Sequence, residues 1–392
     1  MITIEDKINC CGCWACRQIC PMDCITMDKD NEGFLYPKVN MEKCLDCGLC
    51  ETVCPVLHQN PSRTPIHVYA AKNKLKEVRM QSSSGGIFTI IAEEVINNKG
   101  VVFGARFDEN WEVKHDFTEK REELSAFRGS KYIQSINDNA YLKTEQFLQQ
   151  GRTVLFSGTP CQIAGLHLFL RKEYDDLITI DLICHGVPSP GVWNKYLAET
   201  VNKYKKNNNE ISSISFRDKT TGWKKSGFTI SRFDESLHKN TILHSEILEE
   251  NQYFKGFQKE LYLRPSCSFC CAKSLKSNSD ITLGDFWGIN YLMPNFDDDK
   301  GISVVLVNTL KGKIYFSKIA DKMEYWKSNY SVIYKYNRFI IDSANQSKYR
   351  EKFFNNYKDE NVSSLIKKYA KDSWQIRWKR KIVKICKAMN LN

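Results

Sequence analysis

Two stretches of this chain gather thiols at one spacing. The first, "CCGCWACRQICP", runs from Cys10 to Pro21, and the second, "CLDCGLCETVCP", from Cys44 to Pro55. Both obey Cys-x2-Cys-x2-Cys-x3-Cys-Pro, so Cys10, Cys13, Cys16 and Cys20 match Cys44, Cys47, Cys50 and Cys54; Cys11 is left over. Thiolates are soft ligands that suit zinc and iron–sulfur clusters, and thiols also pair as disulfides. Disulfide frameworks belong to short secreted chains with a leader, and the start "MITIEDKINC" has neither a basic segment nor an apolar one. Zinc ribbons separate two Cys-x2-Cys pairs by a long insert rather than placing four thiols in eleven residues before a proline.

The remaining possibility is the bacterial ferredoxin spacing, in which the fourth cysteine of each run ligates the other cluster. One [4Fe–4S] cluster is therefore expected on Cys10, Cys13, Cys16 and Cys54, and another on Cys44, Cys47, Cys50 and Cys20. Tight turns between the cysteines would aim backbone N–H groups at the sulfurs and tune their potential. Cys11 and Cys24 read as buried thiols packing like small hydrophobes.

Four later segments carry chemistry in their turns. Gln81-Ser82-Ser83-Ser84-Gly85-Gly86 precedes a helical pattern, where small hydroxyls and paired glycines can make an anion site; the plain alternative is a helix cap with a flexible turn. In "LFSGTPCQIAGL" a strand passes through Gly158-Thr159-Pro160 to Cys161 at a helix start, which lowers a thiol's pKa and suits a nucleophile or a ligand. "DLICHGVPSP" places Cys184 and His185 at a strand's end, and "RPSCSFCCAK" contributes Cys267-x2-Cys270 with Cys271 adjacent. A lone Cys-x2-Cys lacks two ligands, and Cys161 and Cys184 would supply them, so a third tetrathiolate cluster is the simplest expectation. Cys270 and Cys271 both qualify as its last ligand, and core packing is the competing role for Cys161 and Cys184.

Elements able to position these residues follow from pattern. The 392 residues allow two or three domains, and 42% hydrophobic with 26% charged residues is an ordinary globular composition. The expected fold class is α+β: a small bacterial-ferredoxin-like domain (1–57), a linker (58–67), a larger mixed α/β domain (68–310) and a helical C-terminal region (311–392). Strands are expected at "IHVYAAK", "GVVFGARFD", "RTVLFSG", "LITIDLIC", "DITLGDFWG" and "GISVVLVNT", with helices between them and a hairpin around "KTTGWKK". Sixteen cysteines without a leader point to a reducing cytoplasm, and the best apolar run, near residues 153–170, is interrupted by Pro160, Gln162 and His167. From 362 to 392 there are nine Lys or Arg and one Asp, which is +8 of the net +11, so a basic nucleic-acid groove along the body is not supported. In that tail Trp374, Trp378, Ile382, Ile385 and Met389 recur at helical spacing. This fits either a packed helix or peripheral contact with an anionic membrane surface.

"SSSGGIFT", "GSKYIQS" (129–135), "GTPCQIAGL", "ICHGVPSP", "FRDKTTGW", "RPSCSFC" and "DITLGDFWGI" together resemble the family of coenzyme F(420) hydrogenase/dehydrogenase beta subunits, from about Ala70 to Thr309. The resemblance implies a flavin, usually FAD, beside iron–sulfur centres, and hydride exchange with a deazaflavin or another small redox substrate. It makes Ser83, Ser84, Gly85 and Gly86 candidates for cradling the flavin, and Lys131 and Tyr132 candidates beside its ring. His185 would orient a cluster or shuttle a proton, and Asp285 would bind cofactor ribose or cap its turn. Bacterial members of this length often accompany surface-polysaccharide genes. A redox partner protein is implied as well, and the competing functions are a non-catalytic electron carrier within a larger complex and a polysaccharide assembly factor.

Overall fold

The computed structural model describes residues 1–204 and 210–371. The expected tail helix lies outside the described residues. Among the described residues no helix is long and apolar enough to cross a membrane.

Near the N-terminus, β1 (Ile25–Lys29) pairs antiparallel with β2 (Leu35–Val39) between the two cysteine runs. The strands that follow are β3 (His67–Asn73), β4 (Val101–Phe107), β5 (Val113–Thr118), β6 (Val154–Gly158), β7 (Leu177–Leu182), β8 (Ile211–Asp218), β9 (Gly227–Asp234), β10 (Lys239–Ile247), β11 (Ile281–Asp285), β12 (Ser303–Val307) and β13 (Met323–Lys327). Eight of them form one mixed sheet in the order β13-β3-β12-β11-β7-β6-β4-β5, and β10-β9-β8 form a second, antiparallel sheet. The neighbours β4, β6, β7 and β11 run parallel. Val154, Leu155, Phe156, Ile178 and Ile180 are fully buried, as a parallel sheet covered on both faces requires.

All six strands expected from pattern are present. Three more were hidden: β5, β10 and β13 are polar or amphipathic edge strands whose signal is weak. The strand β13 interrupts the helical region expected after residue 310 and pairs with β3 at the edge of the main sheet. Aromatic Tyr325 and Trp326 favour extended backbone, which outweighs the surrounding helical pattern.

The cysteine-rich segment is stapled to the larger sheet by buried polar groups. Gln18 accepts from the N–H groups of Tyr141 and Leu142 at 2.9 and 3.2 Å, capping the helix Ala140–Gln149, and donates to Asn137 O at 2.7 Å. Asn137 in turn donates to Cys13 O at 3.1 Å. Ala15 and Val53 pack in one apolar cluster with Phe103, Phe156 and Leu166. The first cysteine run thus belongs to the same core as the sheet.

Candidate redox centre

Strands β6, β7 and β11 end side by side, and the crevice outside the carboxyl ends of parallel strands is where open α/β sheets bind ligands. Thr159 and Gln162 form a capping box that stops β6 and starts the helix Pro160–Leu170, which puts Cys161 in its first turn. Cys184 and His185 follow β7, and Asp285 closes β11. All four line one cavity of about 850 Å³, a size suited to a small-molecule or cofactor site.

Several of the candidate ligand thiols lie near one another. Burial pushes Cys16 well above the ordinary thiol range, and the facing thiols of Cys13, Cys10 and Cys54 add to the rise. Burial likewise lifts Cys54 to about 12, with Cys13 and Cys10 contributing. Crowded buried thiols of this kind ionise readily only against cationic metal. At the later set, burial raises Cys267 to about 12, with Cys184 and Cys161 contributing, and raises Cys184 to about 11. Burial also raises Cys270, and Cys161 is again a contributor. Backbone N–H groups address several of these sulfurs: Ile2 N donates to Cys50 Sγ at 3.2 Å, Asp46 N to Cys44 Sγ at 3.4 Å and Val187 N to Cys267 Sγ at 3.4 Å. Such donors stabilise thiolate charge, so the donor sets fit iron–sulfur clusters. Among the described residues, no three His, Cys, Asp or Glu side chains converge tightly enough to hold a single ion.

Cys11 and Cys24 are less passive than sequence suggests. Cys24 lies 3.4 Å from Cys20, sulfur to sulfur. Cys11 lies among Cys13, Cys161 and Cys271, between the first thiol run and the later set. The neighbouring Cys11 thiol is the main reason that Cys161 is lowered to about 7. A helix N-terminus, the cause inferred from sequence, is secondary.

The remaining candidate residues surround the same cavity but use their polar atoms differently. Ser83, Ser84, Gly86, Lys131, Tyr132, His185 and Asp285 line it, whereas Gly85 does not. Gly85 is packed behind the loop, where a Cβ would lie 2.3 Å from Ala71 O and 2.7 Å from Ser303 N. Ser83 Oγ accepts from Ser130 N at 2.6 Å, which ties the two lining loops together, and Ser84 Oγ donates to Ile302 O at 2.8 Å. Lys131 Nζ donates to Arg128 O at 2.9 Å and Gly129 O at 3.2 Å, and burial lowers it to about 7. Both oxygens of Asp285 are occupied, one accepting from Arg217 Nη1 at 2.8 Å and the other from Trp223 Nε1 at 3.0 Å. Its carboxylate therefore shapes the wall. His185 Nε2 lies 3.1 Å from Glu260 Oε1, and its ring stacks on Phe339 at 3.9 Å.

A flavin-like anion fits the lining. Arg128, Lys131, Arg217, Lys335 and Arg338 face the cavity against only Glu260 and Asp285, both of them already paired. Gly86 caps the helix Ile87–Asn97 without a side-chain bond, leaving first-turn N–H groups for a ligand. Arg217 Nη2 is buried without a protein acceptor. Sequence inspection passed over Arg217, Lys219, His115 and Arg264. The first two sit in "FRDKTTGW" and the last in "RPSCSFC", so motif membership was their one available signal.

The family model for the carboxyl-terminal part of the coenzyme F420 hydrogenase/dehydrogenase beta subunit matches residues 151–331, and a 4Fe-4S dicluster domain matches residues 9–57. One of the F(420)H(2) dehydrogenase subunits of Methanosarcina mazei is 24% identical over 334 residues, covering 80% of this chain and 83% of that protein. Ferredoxin-1 of Caulobacter vibrioides is 41% identical over 53 residues, which is 14% of this chain and 42% of the ferredoxin. A chain of the F(420)-reducing [NiFe] hydrogenase complex from Methanosarcina barkeri superposes at a TM-score of 0.47 with 18% identity, over 72% of this chain and 91% of that one. The ordered motifs, the dicluster module ahead of them and the dehydrogenase relative matched along most of its length agree: residues 151–331 carry the carboxyl-terminal domain of the coenzyme F(420) hydrogenase/dehydrogenase beta subunit, in a chain with an N-terminal 4Fe-4S dicluster domain.

Proposed function

We propose that this iron–sulfur oxidoreductase is a flavoprotein in which Cys161, Cys184, Cys267 and Cys270 hold a third cluster beside a flavin, and that it exchanges hydride with a deazaflavin-like or other small redox substrate. One observation carries the proposal: Cys161 and Cys184 open onto the same cavity that Ser83, Ser84, Lys131 and Tyr132 line. One-electron and two-electron sites would then share a wall. A flavin bound there would supply the conversion between single electrons and hydride.

The chain's own residues have distinct tasks in this scheme. The uncapped first turn after Gly86, with Arg128, favours a phosphate group. Arg217 Nη2 presents an unused donor to a ligand oxygen, and Asp285 holds that guanidinium in place. Lys131, lowered to about 7 by burial, can carry a proton on Nζ or release it near neutral pH. His185 is held in the cavity wall by Glu260 and by stacking on Phe339. The Methanosarcina mazei relative is one component of a dehydrogenase, which favours a protein redox partner for this chain as well.

Anaerobic purification with iron, sulfide and flavin analysis tests the proposal, followed by addition of a chemical reductant and a deazaflavin. Bound flavin and deazaflavin reduction are expected. Protein that holds clusters but takes up no flavin would instead make the chain an electron carrier.

A further inference from the structure

The guanidinium of Arg264 is the most enclosed cation in the described structure, and its surroundings are the thiol sites. Its residue is 1% exposed. Nε donates to Cys10 O at 2.7 Å, and Nη2 donates to Leu35 O at 2.9 Å and to Cys10 Sγ at 3.4 Å. Nη1 donates to Gln134 Oε1 at 2.9 Å, and the group lies over the ring of Tyr36 at 4.1 Å. A Cβ on Gly12 would approach its Cζ to 2.8 Å, so the first cysteine run is moulded against this one side chain.

Burying an arginine costs several kcal/mol unless charge and hydrogen bonds compensate, and here no carboxylate lies among its bonded partners. The compensation comes from carbonyl oxygens, an amide, aromatic faces and thiol sulfur. The guanidinium thus meets the first thiol set directly, through both the carbonyl oxygen and the sulfur of Cys10. The outer set is treated differently. Cys47 is exposed, and the protein donors at Cys44 and Cys50 are neutral backbone N–H groups.

We infer that Arg264 is a positioning residue that raises the reduction potential of the inner cluster, on Cys10, Cys13, Cys16 and Cys54, relative to the outer cluster. The reason is electrostatic: reduction adds negative charge to a cluster, and a buried cation with an N–H···S bond stabilises the reduced form more than the oxidised one. The potential would then step upward from the outer cluster, on the exposed Cys47 side, to the inner one. This inference rests on the cluster assignment proposed above.

The test is an anaerobic redox titration of the full chain followed by electron paramagnetic resonance, with iron counted in every sample. Cys47→Ser identifies the outer signal. Arg264→Met is expected to shift the inner signal to more negative potential and leave the outer one unmoved, while Arg264→Lys, which keeps the charge, recovers most of the shift. An inner potential unchanged at full iron content overturns the inference, as does an equal shift of all signals. If Arg264→Met fails to retain iron, Gln134→Glu offsets the guanidinium in place and must give the same negative shift; no shift there is equally fatal. Wild-type protein without iron–sulfur signals would defeat the cluster assignment itself, a separate outcome.

Discussion

Lys219 Nζ donates to the carbonyl oxygen of Ser84 at 2.7 Å, and the same group reaches Arg79 O and Lys300 O at 2.8 Å each. An ammonium has three N–H donors, and here each meets one carbonyl. The lysine thus clamps the Ser82–Gly86 loop to the segment preceding β12 from inside, at 3% exposure. Replacing it with Met strands three buried carbonyls, each costing about 1–3 kcal/mol when unsatisfied. Lys219→Met is expected to lose at least about 2 kcal/mol of stability and most bound flavin. Denaturant midpoints and flavin per chain measure both, and unchanged values would reduce the clamp to a surface detail.

Two glycines of the lining loops should behave differently. At Gly85 an added Cβ meets backbone at 2.3 Å, so even Gly85→Ala forces the loop away from β3 and β12, costing about 3 kcal/mol. Gly129 has φ of 79° with nothing within 4 Å of an added Cβ, so Gly129→Ala costs only left-handed strain, about 1 kcal/mol. Melting temperatures should therefore fall much further for the first variant than for the second.

Iron content tests the third thiol set. Three clusters correspond to about twelve iron atoms per chain. Because Cys267 faces Cys184 and Cys161 rather than the N-terminal runs, Cys267→Ser should retain about eight. Full retention would return Cys267 to the role of a buried hydrophobe.

Lys131 predicts a pH dependence of stability. Burial lowers it to about 7, and its two carbonyl partners match the two N–H groups of a neutral amine. In the unfolded chain a lysine titrates near 10.4. Between those values the unfolded state binds the extra proton, so this residue contributes stability that grows as pH rises from about 7 toward about 10, the reverse of a lysine gaining a carboxylate. The urea midpoint of wild type relative to that of Lys131→Met should therefore rise between pH 7 and pH 9. A constant gap between them would rule out a depressed lysine.

The sequence by itself determined what depends on neighbours a few residues apart. Two cysteine runs with a fixed ligand spacing, the apolar strands β3, β4, β6, β7, β11 and β12, and the helix start at Cys161 are local chemistry, legible without coordinates. Tertiary structure decided the rest, because only packing brings distant residues together. Arg264 reaches Cys10 across 254 residues, and Lys219 reaches Ser84 across 135. Cys11, a leftover within its run, became the thiol between two ligand sets once the chain had folded. For Asp285 the sequence left ribose binding and turn capping both open, and the fold gave its two oxygens to Arg217 and Trp223. A residue's type fixes what it can donate or accept, but burial decides that its demand must be met, and the fold decides by whom.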